Sequence, residues 1–352
     1  MKILYAIQGT GNGHITRALH LVPVLKKKAD VTVLLSGYQS DIQLPFKVDF
    51  KFHGLSFVFG KKGGIDYLAT YKKSRIKKFY KEIKQLDVSK FDVVISDFEP
   101  ISAWACYLAK KPCVGLSNQA TLMSEGVPKP KSKDVIGKMI LKNYAPCSVP
   151  LGFHYKKYND SIFNPIIRNE IRKGKVSEGN YYLVYLPSYS YSRIERIFSK
   201  FPKVMFKVYS KHITEPIIKK NIAFLPVNQK NFTNDMLSCK GIICAAGFAT
   251  TSEALFLGKK LLIIPQKGQL EQQYNKLALN ELGVSSIKSL KEKHLDKIQK
   301  FLQSKHAVHI PYEDDAETIV NYILKNHKTW AKNYQRKSFK KPELFKLEEA
   351  IE

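Results

Sequence analysis

The residues best suited to chemistry fall in a few short stretches. In "QGTGNGHITRALHLVPVLKK", residues 8–27, His14 follows Gly9, Gly11 and Gly13 where a helix should begin. The positive end of that helix favours the neutral, proton-accepting imidazole. The glycines are expected to allow positive φ and close backbone approach. Asp97 ends the apolar run "FDVVISD", just before the helix-starting Pro100. A carboxylate there can hold the ring nitrogen opposite the reacting one, fixing the tautomer and stabilising the imidazolium. Blander roles compete: His14 as a turn residue, Asp97 as a helix cap, and Asp97 with Glu99 as a poor metal pair.

A second cluster spans residues 244–284, "CAAGFATTSEALFLGKKLLIIPQKGQLEQQYNKLALNELGV". An apolar run stops at Gly247, and Phe248, Thr250, Thr251, Ser252 and Glu253 follow. Free amides and hydroxyls at a helix N-terminus suit a diphosphate. Glu253, one turn on, is placed to take both hydroxyls of a ribose, although Thr250 and Glu253 also have capping-box spacing. The next run stops at Pro265 and supplies Gln266, Gln269, Glu271 and Gln272, with Asn275 behind them. Carboxylate beside amide offers donors and acceptors to several sugar hydroxyls. Diphosphate, ribose and hexose together describe a nucleotide sugar.

Such residues must be held at strand ends. Apolar runs at 2–7, 31–36, 92–97, 181–187, 203–209, 240–246 and 260–265 alternate with helix-like segments. Their continuous apolar character suits parallel strands covered on both faces. The expected fold class is α/β, with two Rossmann-like parallel-sheet domains facing across a cleft. The signal fades between 125 and 180, so the domains are placed at 1–165 and 180–325, with a basic helical tail over 326–352. The first loop alone resembles a dinucleotide fingerprint, but no acidic residue ends the second strand to take a ribose.

Composition narrows the classes. The 58 basic and 30 acidic residues leave a net charge of +28, mostly from lysine. That excess suits anionic small molecules, anionic lipid or nucleic acid. No apolar stretch is long enough to span a bilayer, "MKILYAIQGTG" reads as a buried first strand rather than a signal peptide, and a cytoplasmic location is expected. The five cysteines, Cys106, Cys113, Cys147, Cys239 and Cys244, show no ligand spacing, and no metal site is expected. Residues 57–84 carry nine basic and two acidic residues interleaved with aromatics. That segment could rest on an anionic membrane.

The two stretches together resemble glycosyltransferases of the two-domain GT-B fold. They are most similar to the group around the bacterial peptidoglycan N-acetylglucosaminyltransferase and its uncharacterised relatives. That group's pattern stands here as Gly247, Phe248, Thr250, Glu253, Ala254, Leu255, Pro265, Glu271, Gln272 and Asn275, with Gly9 to His14 matching its first loop. The resemblance implies an inverting transferase with a nucleoside-diphosphate sugar, a uridine one by analogy, as substrate rather than a resident cofactor. It implies His14 as general base with Asp97 as its partner. It places the donor against Gly11, Gly13, Ser188, Gly247, Phe248, Thr250, Thr251, Glu253, Gln269, Glu271 and Gln272. The acceptor would be a hydroxyl, lipid-linked or part of a cell-envelope glycan. A nucleotide-sugar 2-epimerase of the same fold and a basic nucleic-acid-binding protein are the alternatives. No zinc-finger, recognition-helix or RNA-binding signature favours the latter.

Overall fold

The computed structural model describes residues 1–37, 44–55, 76–131 and 134–334. The chain forms two compact units. The first holds the described residues up to Ile166 together with those from Asp314 to Tyr334, and the second is built on Ile167–Glu313.

The strands of the first unit are β1 (Lys2–Gln8), β2 (Asp30–Ser36), β3 (Phe50–Phe52), β4 (Val93–Asp97), β5 (Val114–Leu116), β6 (Val149–Phe153) and β7 (Ile162–Phe163). They make one sheet in the order β3-β2-β1-β4-β5-β6-β7, with every pairing parallel. Helices α1 (Asn12–Lys26), α2 (Ile76–Gln85), α3 (Pro100–Leu108), α4 (Asn118–Thr121) and α5 (Val135–Asn143) lie in the crossovers. Ile3 to Ile7 of β1 are fully buried, as a central strand covered on both faces requires. Strands β6 and β7 occupy the region where the sequence signal fades. Pro150 and Gly152 interrupt the apolar run of β6, and the glycine is obligatory: a Cβ there would strike the Ser117 carbonyl.

The second unit opens with α6 (Asn169–Arg172) and β8 (Tyr181–Tyr185), followed by α7 (Tyr191–Phe198) and β9 (Met205–Ser210). Next come β10 (Ile217–Lys219), β11 (Ile222–Pro226), α8 (Gln229–Ser238), β12 (Gly241–Cys244) and α9 (Phe248–Phe256). β13 (Lys260–Ile263), α10 (Leu270–Glu281), β14 (Ser285–Ser286) and α11 (Leu295–Gln303) complete it. The sheet order is β10-β11-β9-β8-β12-β13-β14, antiparallel only between β10 and β11. Its core joins Val184, Phe206, Val208, Ile243 and Leu262 to Ile197 and Phe198 of α7 and to Ile298 and Phe301 of α11.

The last helix, α12 (Ala316–Lys332), packs on α1 of the first unit rather than beginning a separate tail at 326. Ile319, Val320 and Ile323 are buried, Lys28 donates to Asn321 at 2.7 Å, and His20 meets Asp314 at 2.9 Å. The second unit therefore ends at Glu313, not 325. Residues 335–352 of the expected tail and 57–75 of the basic segment lie outside the described residues. The rest of that segment is α2, which turns Phe79 and Ile83 into the core and Lys77, Lys81 and Lys84 to solvent. Among the described residues no helix is long and apolar enough to cross a membrane.

Candidate active site

In open parallel sheets the crevice beyond the strand ends forms where strand order reverses. In the first sheet that point lies between β1 and β4, which pair with Ile7 opposite Asp97. The loop after β1 leads into α1, whose first turn carries His14. His14 Nδ1 lies 2.7 Å from Asp97 Oδ1. Arg17, one turn further along α1, grips the same carboxylate: Nε donates to Oδ2 at 2.9 Å and Nη2 to Oδ1 at 2.6 Å. Asp97 is fully buried and the His14 side chain 12% exposed. Burial works against the Asp97 charge, but Arg17 and then His14 more than offset it and hold the carboxyl below its ordinary range.

Asp97 does not cap α3. Glu99 does, accepting from the Ile101 and Ser102 amides at 2.8 and 2.7 Å. That commitment removes Glu99 from the metal pair considered above, and among the described residues no group of three or more His, Cys, Asp or Glu could hold a metal ion. Between the two anchored carboxylates Phe98 is forced to φ 54°, a strained conformation for a bulky residue. Its ring lies parallel to that of His14 at 6.4 Å and packs on Tyr144 at 4.9 Å. Beside Phe98 opens a cavity of about 200 Å³, lined by residues including Ser117, Met123, Leu141 and Cys147. Of the two expectations for the loop glycines one is met: none of Gly9, Gly11 and Gly13 has positive φ, but Gly9 does allow a close backbone approach. Gly9 lets β1 close on β2, where a Cβ would strike the Gly37 carbonyl, and Gly11 is the N-cap of α1. Gly13 lies in the first turn.

In the second sheet the order reverses between β8 and β12, with Cys244 opposite Tyr185. Ser188 lies part-exposed in the turn after β8. After β12, Gly247 is the N-cap of α9 and, as a glycine, brings no side chain to cap it. Among the described residues, its two chain neighbours apart, nothing stands within 4 Å of where its Cβ would be. Phe248 is buried, and Thr250 alone of the three expected hydroxyls is part-exposed. Thr251 and Ser252 turn inward and donate to the Gly247 and Phe248 carbonyls, both at 2.8 Å. The capping box does not form, because the helix starts three residues before it would require.

Glu253 is buried and already paired. Arg168 forks onto it at 2.6 and 2.7 Å while donating to Thr233 at 2.9 Å. Gln272 acts as a brace, accepting from the Ala246 and Gln266 amides at 3.2 and 2.8 Å and donating to Gln269 at 2.7 Å. Asn275 donates to the Ala246 carbonyl at 2.9 Å, so the residue before Gly247 is held at both polar atoms. Glu271 stays part-exposed in the first turn of α10.

Residues 1–305 match the model of a protein family described as Glycosyl transferase family 1. This chain belongs to that family. A relative from Methanosarcina mazei, described as an uncharacterized glycosyltransferase, is 26% identical over 342 residues, covering 82% of this chain and 86% of its own. Among solved structures, MurG of Acinetobacter baumannii shares the fold with a TM-score of 0.55 at 12% identity, covering 92% of this chain and 99% of that one. The Streptomyces glycosyltransferase SsfS6, solved with thymidine diphosphate, gives 0.54 at 13% identity, with 92% and 99% covered. The protein is a glycosyltransferase with two Rossmann-like sheets of the GT-B fold.

Sequence reading of this glycosyltransferase missed both arginines. Arg17 is legible in hindsight, because a residue three after His14 shares its helix face. Arg168 carries no such local signal: it lies 85 positions from Glu253 and is placed beside it only by the fold.

Proposed function

We propose that this glycosyltransferase is an inverting, metal-independent enzyme. It moves a hexose or N-acetylhexosamine from a nucleoside-diphosphate sugar, with uridine as the expected base, to a hydroxyl of a lipid-linked or cell-envelope acceptor. The observation that carries this reading is the 2.7 Å contact between His14 and Asp97 at the end of β4. With Nδ1–H donated to Asp97, Nε2 keeps its lone pair and takes the acceptor's hydroxyl proton. The acceptor oxygen bonds the anomeric carbon from the face opposite the diphosphate as the old C–O bond breaks, so the configuration inverts. Negative charge collects on the departing diphosphate, for which the N-terminal amides of α9 and the Thr250 hydroxyl are the donors. Each Glu253 oxygen has a second lone pair beyond its bond to Arg168, enough for two ribose hydroxyls. The crystallisation of SsfS6 with thymidine diphosphate supports a nucleoside diphosphate as product. The cavity beside Phe98 is the proposed seat of the acceptor.

Transfer from a panel of nucleotide sugars, with product anomers assigned by NMR and with a chelator present, tests the reading. His14→Ala is expected to lose about 10²–10⁴-fold in kcat with donor affinity unchanged. Near-normal turnover at saturating donor removes the base assignment, and a product of retained configuration ends the inverting mechanism. The basic segment 57–84 is proposed to rest on an anionic membrane, and flotation with anionic liposomes at low salt checks it.

A further inference from the structure

His14 Nδ1 lies 2.7 Å from each of two groups that ask opposite things of it. Asp97 Oδ1 is an acceptor and holds Nδ1 only while that nitrogen carries a proton. Arg17 Nη2 is a donor with no acceptor capacity and holds Nδ1 only through its lone pair. One nitrogen cannot satisfy both. The carboxylate selects the tautomer that leaves Nε2 as a base, and the guanidinium selects the reverse. The same Nη2 donates to Asp97 Oδ1 at 2.6 Å and Nε to Oδ2 at 2.9 Å, so a bidentate fork has already claimed the carboxylate. An imidazolium at His14 therefore meets a carboxylate whose charge is shared, with a permanent cation in direct contact.

We propose that Arg17 is the positioning residue that sets how readily His14 holds a proton. By neutralising Asp97 and facing Nδ1, it keeps the ring neutral at pH values where a bare His–Asp pair would be protonated. The catalytic meaning of this rests on the reading of His14 as the base. Arg17 is fixed for such a role: it is buried, with its guanidinium 5.7 Å from the Phe153 ring centroid. Among the described residues, the titratable groups around it are neutral or committed elsewhere. Tyr5 of β1 stays a phenol, because burial first and the Asp97 charge second raise its ionisation well above the ordinary value. Tyr144, behind Phe98, stays one through burial and then the Glu99 charge. Glu99 is spent on the amides of α3, and His20, further along α1, pairs with Asp314 near α12.

Two measurements on the full chain test this. Carbethoxylation of His14 by diethyl pyrocarbonate, which attacks only the unprotonated ring, is followed against pH by peptide mass spectrometry and needs no substrate. The pH–rate profile of transfer is recorded in parallel. Arg17→Met is expected to move the carbethoxylation midpoint and the acid limb of the rate up by about one pH unit or more. Rates below the limb then fall about tenfold, while the alkaline plateau changes far less. Arg17→Gln, which keeps a donor but no charge, must shift both in the same direction and serves if Arg17→Met does not fold. Arg17→Lys, which keeps the charge but not the fork, should shift them least. A uniform rate loss with an unmoved midpoint makes Arg17 a mere brace for Asp97 and overturns the proposal. A shifted midpoint with an unshifted rate limb keeps the hold of Arg17 on the ring and removes instead the assignment of His14 as base.

Discussion

Each unit buries a carboxylate near its strand-order reversal and forks an arginine onto it, yet the two pairs are built for different work. Asp97 sits at a strand end and shares one oxygen between Arg17 and the His14 ring. Glu253 sits on a helix and gives both oxygens to Arg168, whose third nitrogen donates to the neutral Thr233. The first arrangement has a member that can gain or lose a proton, so its charge adjusts to what happens at Nε2. In the second, burial opposes the Arg168 charge, but Glu253 more than compensates, and the guanidinium is held charged above its ordinary range. A fixed ion pair can position a ligand but cannot move a proton. The contrast separates a candidate proton-transfer centre from a candidate binding centre without reference to any ligand.

Removing each arginine breaks the comparison most directly. Arg168→Met leaves Glu253 buried and uncompensated, and is expected to cost about 3–5 kcal/mol of stability throughout the neutral range. It should weaken nucleotide binding too, because the carboxylate loses its orientation. Arg17→Met also strands a buried carboxylate, but there His14 can protonate and restore the pair. Its cost should therefore shrink as pH falls through proton uptake at the neighbouring ring, whereas that of Arg168→Met can shrink only where the stranded Glu253 itself takes up a proton. Thermal unfolding of both variants across pH measures this. Equal and pH-independent losses would mean that the two pairs are alike and that the ring does not respond to Asp97.

A second histidine must be accounted for before any pH effect in the first unit is assigned to His14. His154 follows β6, is almost fully buried, and among the described residues has no hydrogen-bond partner at either ring nitrogen. Tyr155 and Tyr158 stand edge-on to it at 5.5 and 5.1 Å. Burial pushes its pKa from 6.5 down to about 4. The unfolded chain then binds the extra proton between those two values, so stability is fully present above the higher one and is lost as pH falls toward the lower. The loss over that window is about 3 kcal/mol. His154→Phe should remove this slope and leave the pH response of Arg17→Met intact. If the slope persists in His154→Phe, it belongs to the Asp97 cluster, and the two histidines have been confused.

Much of this was legible in the sequence because apolar runs and strand-end residue types are local signals. Ile3 to Ile7, Gly247 and the placing of His14 after one strand and of Asp97 at the end of another follow from such patterns. Three kinds of feature were not legible. Short strands such as β6, broken by Pro150 and Gly152, carry too little apolar run to register. Side-chain direction was misread where hydroxyls bond their own helix, as at Thr251 and Ser252. Partners distant in sequence, such as Arg168 for Glu253 or α12 for α1, depend on the path of the whole chain. The role of Gln272 shows the second and third combined, since an amide suited to a sugar is spent on two backbone groups from neighbouring strand ends.

The smallest expected effect sharpens the comparison at the two loop glycines, Gly9 after β1 and Gly247 after β12. Gly9 is needed by the protein itself, since a Cβ would collide with the Gly37 carbonyl, and Gly9→Ala should cost about 1–3 kcal/mol of stability. Gly247 has φ −74° and ψ 134°, which alanine adopts freely, and among the described residues beyond its chain neighbours nothing crowds its missing side chain. Neither conformation nor packing asks for glycine there, so what remains is room for something that approaches the α9 amides from outside. Gly247→Ala should change stability by less than about 1 kcal/mol, as a poorer N-cap offsets a stiffer unfolded chain. It should nonetheless weaken nucleoside-diphosphate binding about tenfold, or ~1.4 kcal/mol. Calorimetry with the free nucleotide, alongside a melting curve, reads both quantities on one preparation. An unaltered affinity in the folded variant would remove the α9 N-terminus as the diphosphate site, and the second unit would then have to hold its ligand through the part-exposed Glu271 region instead.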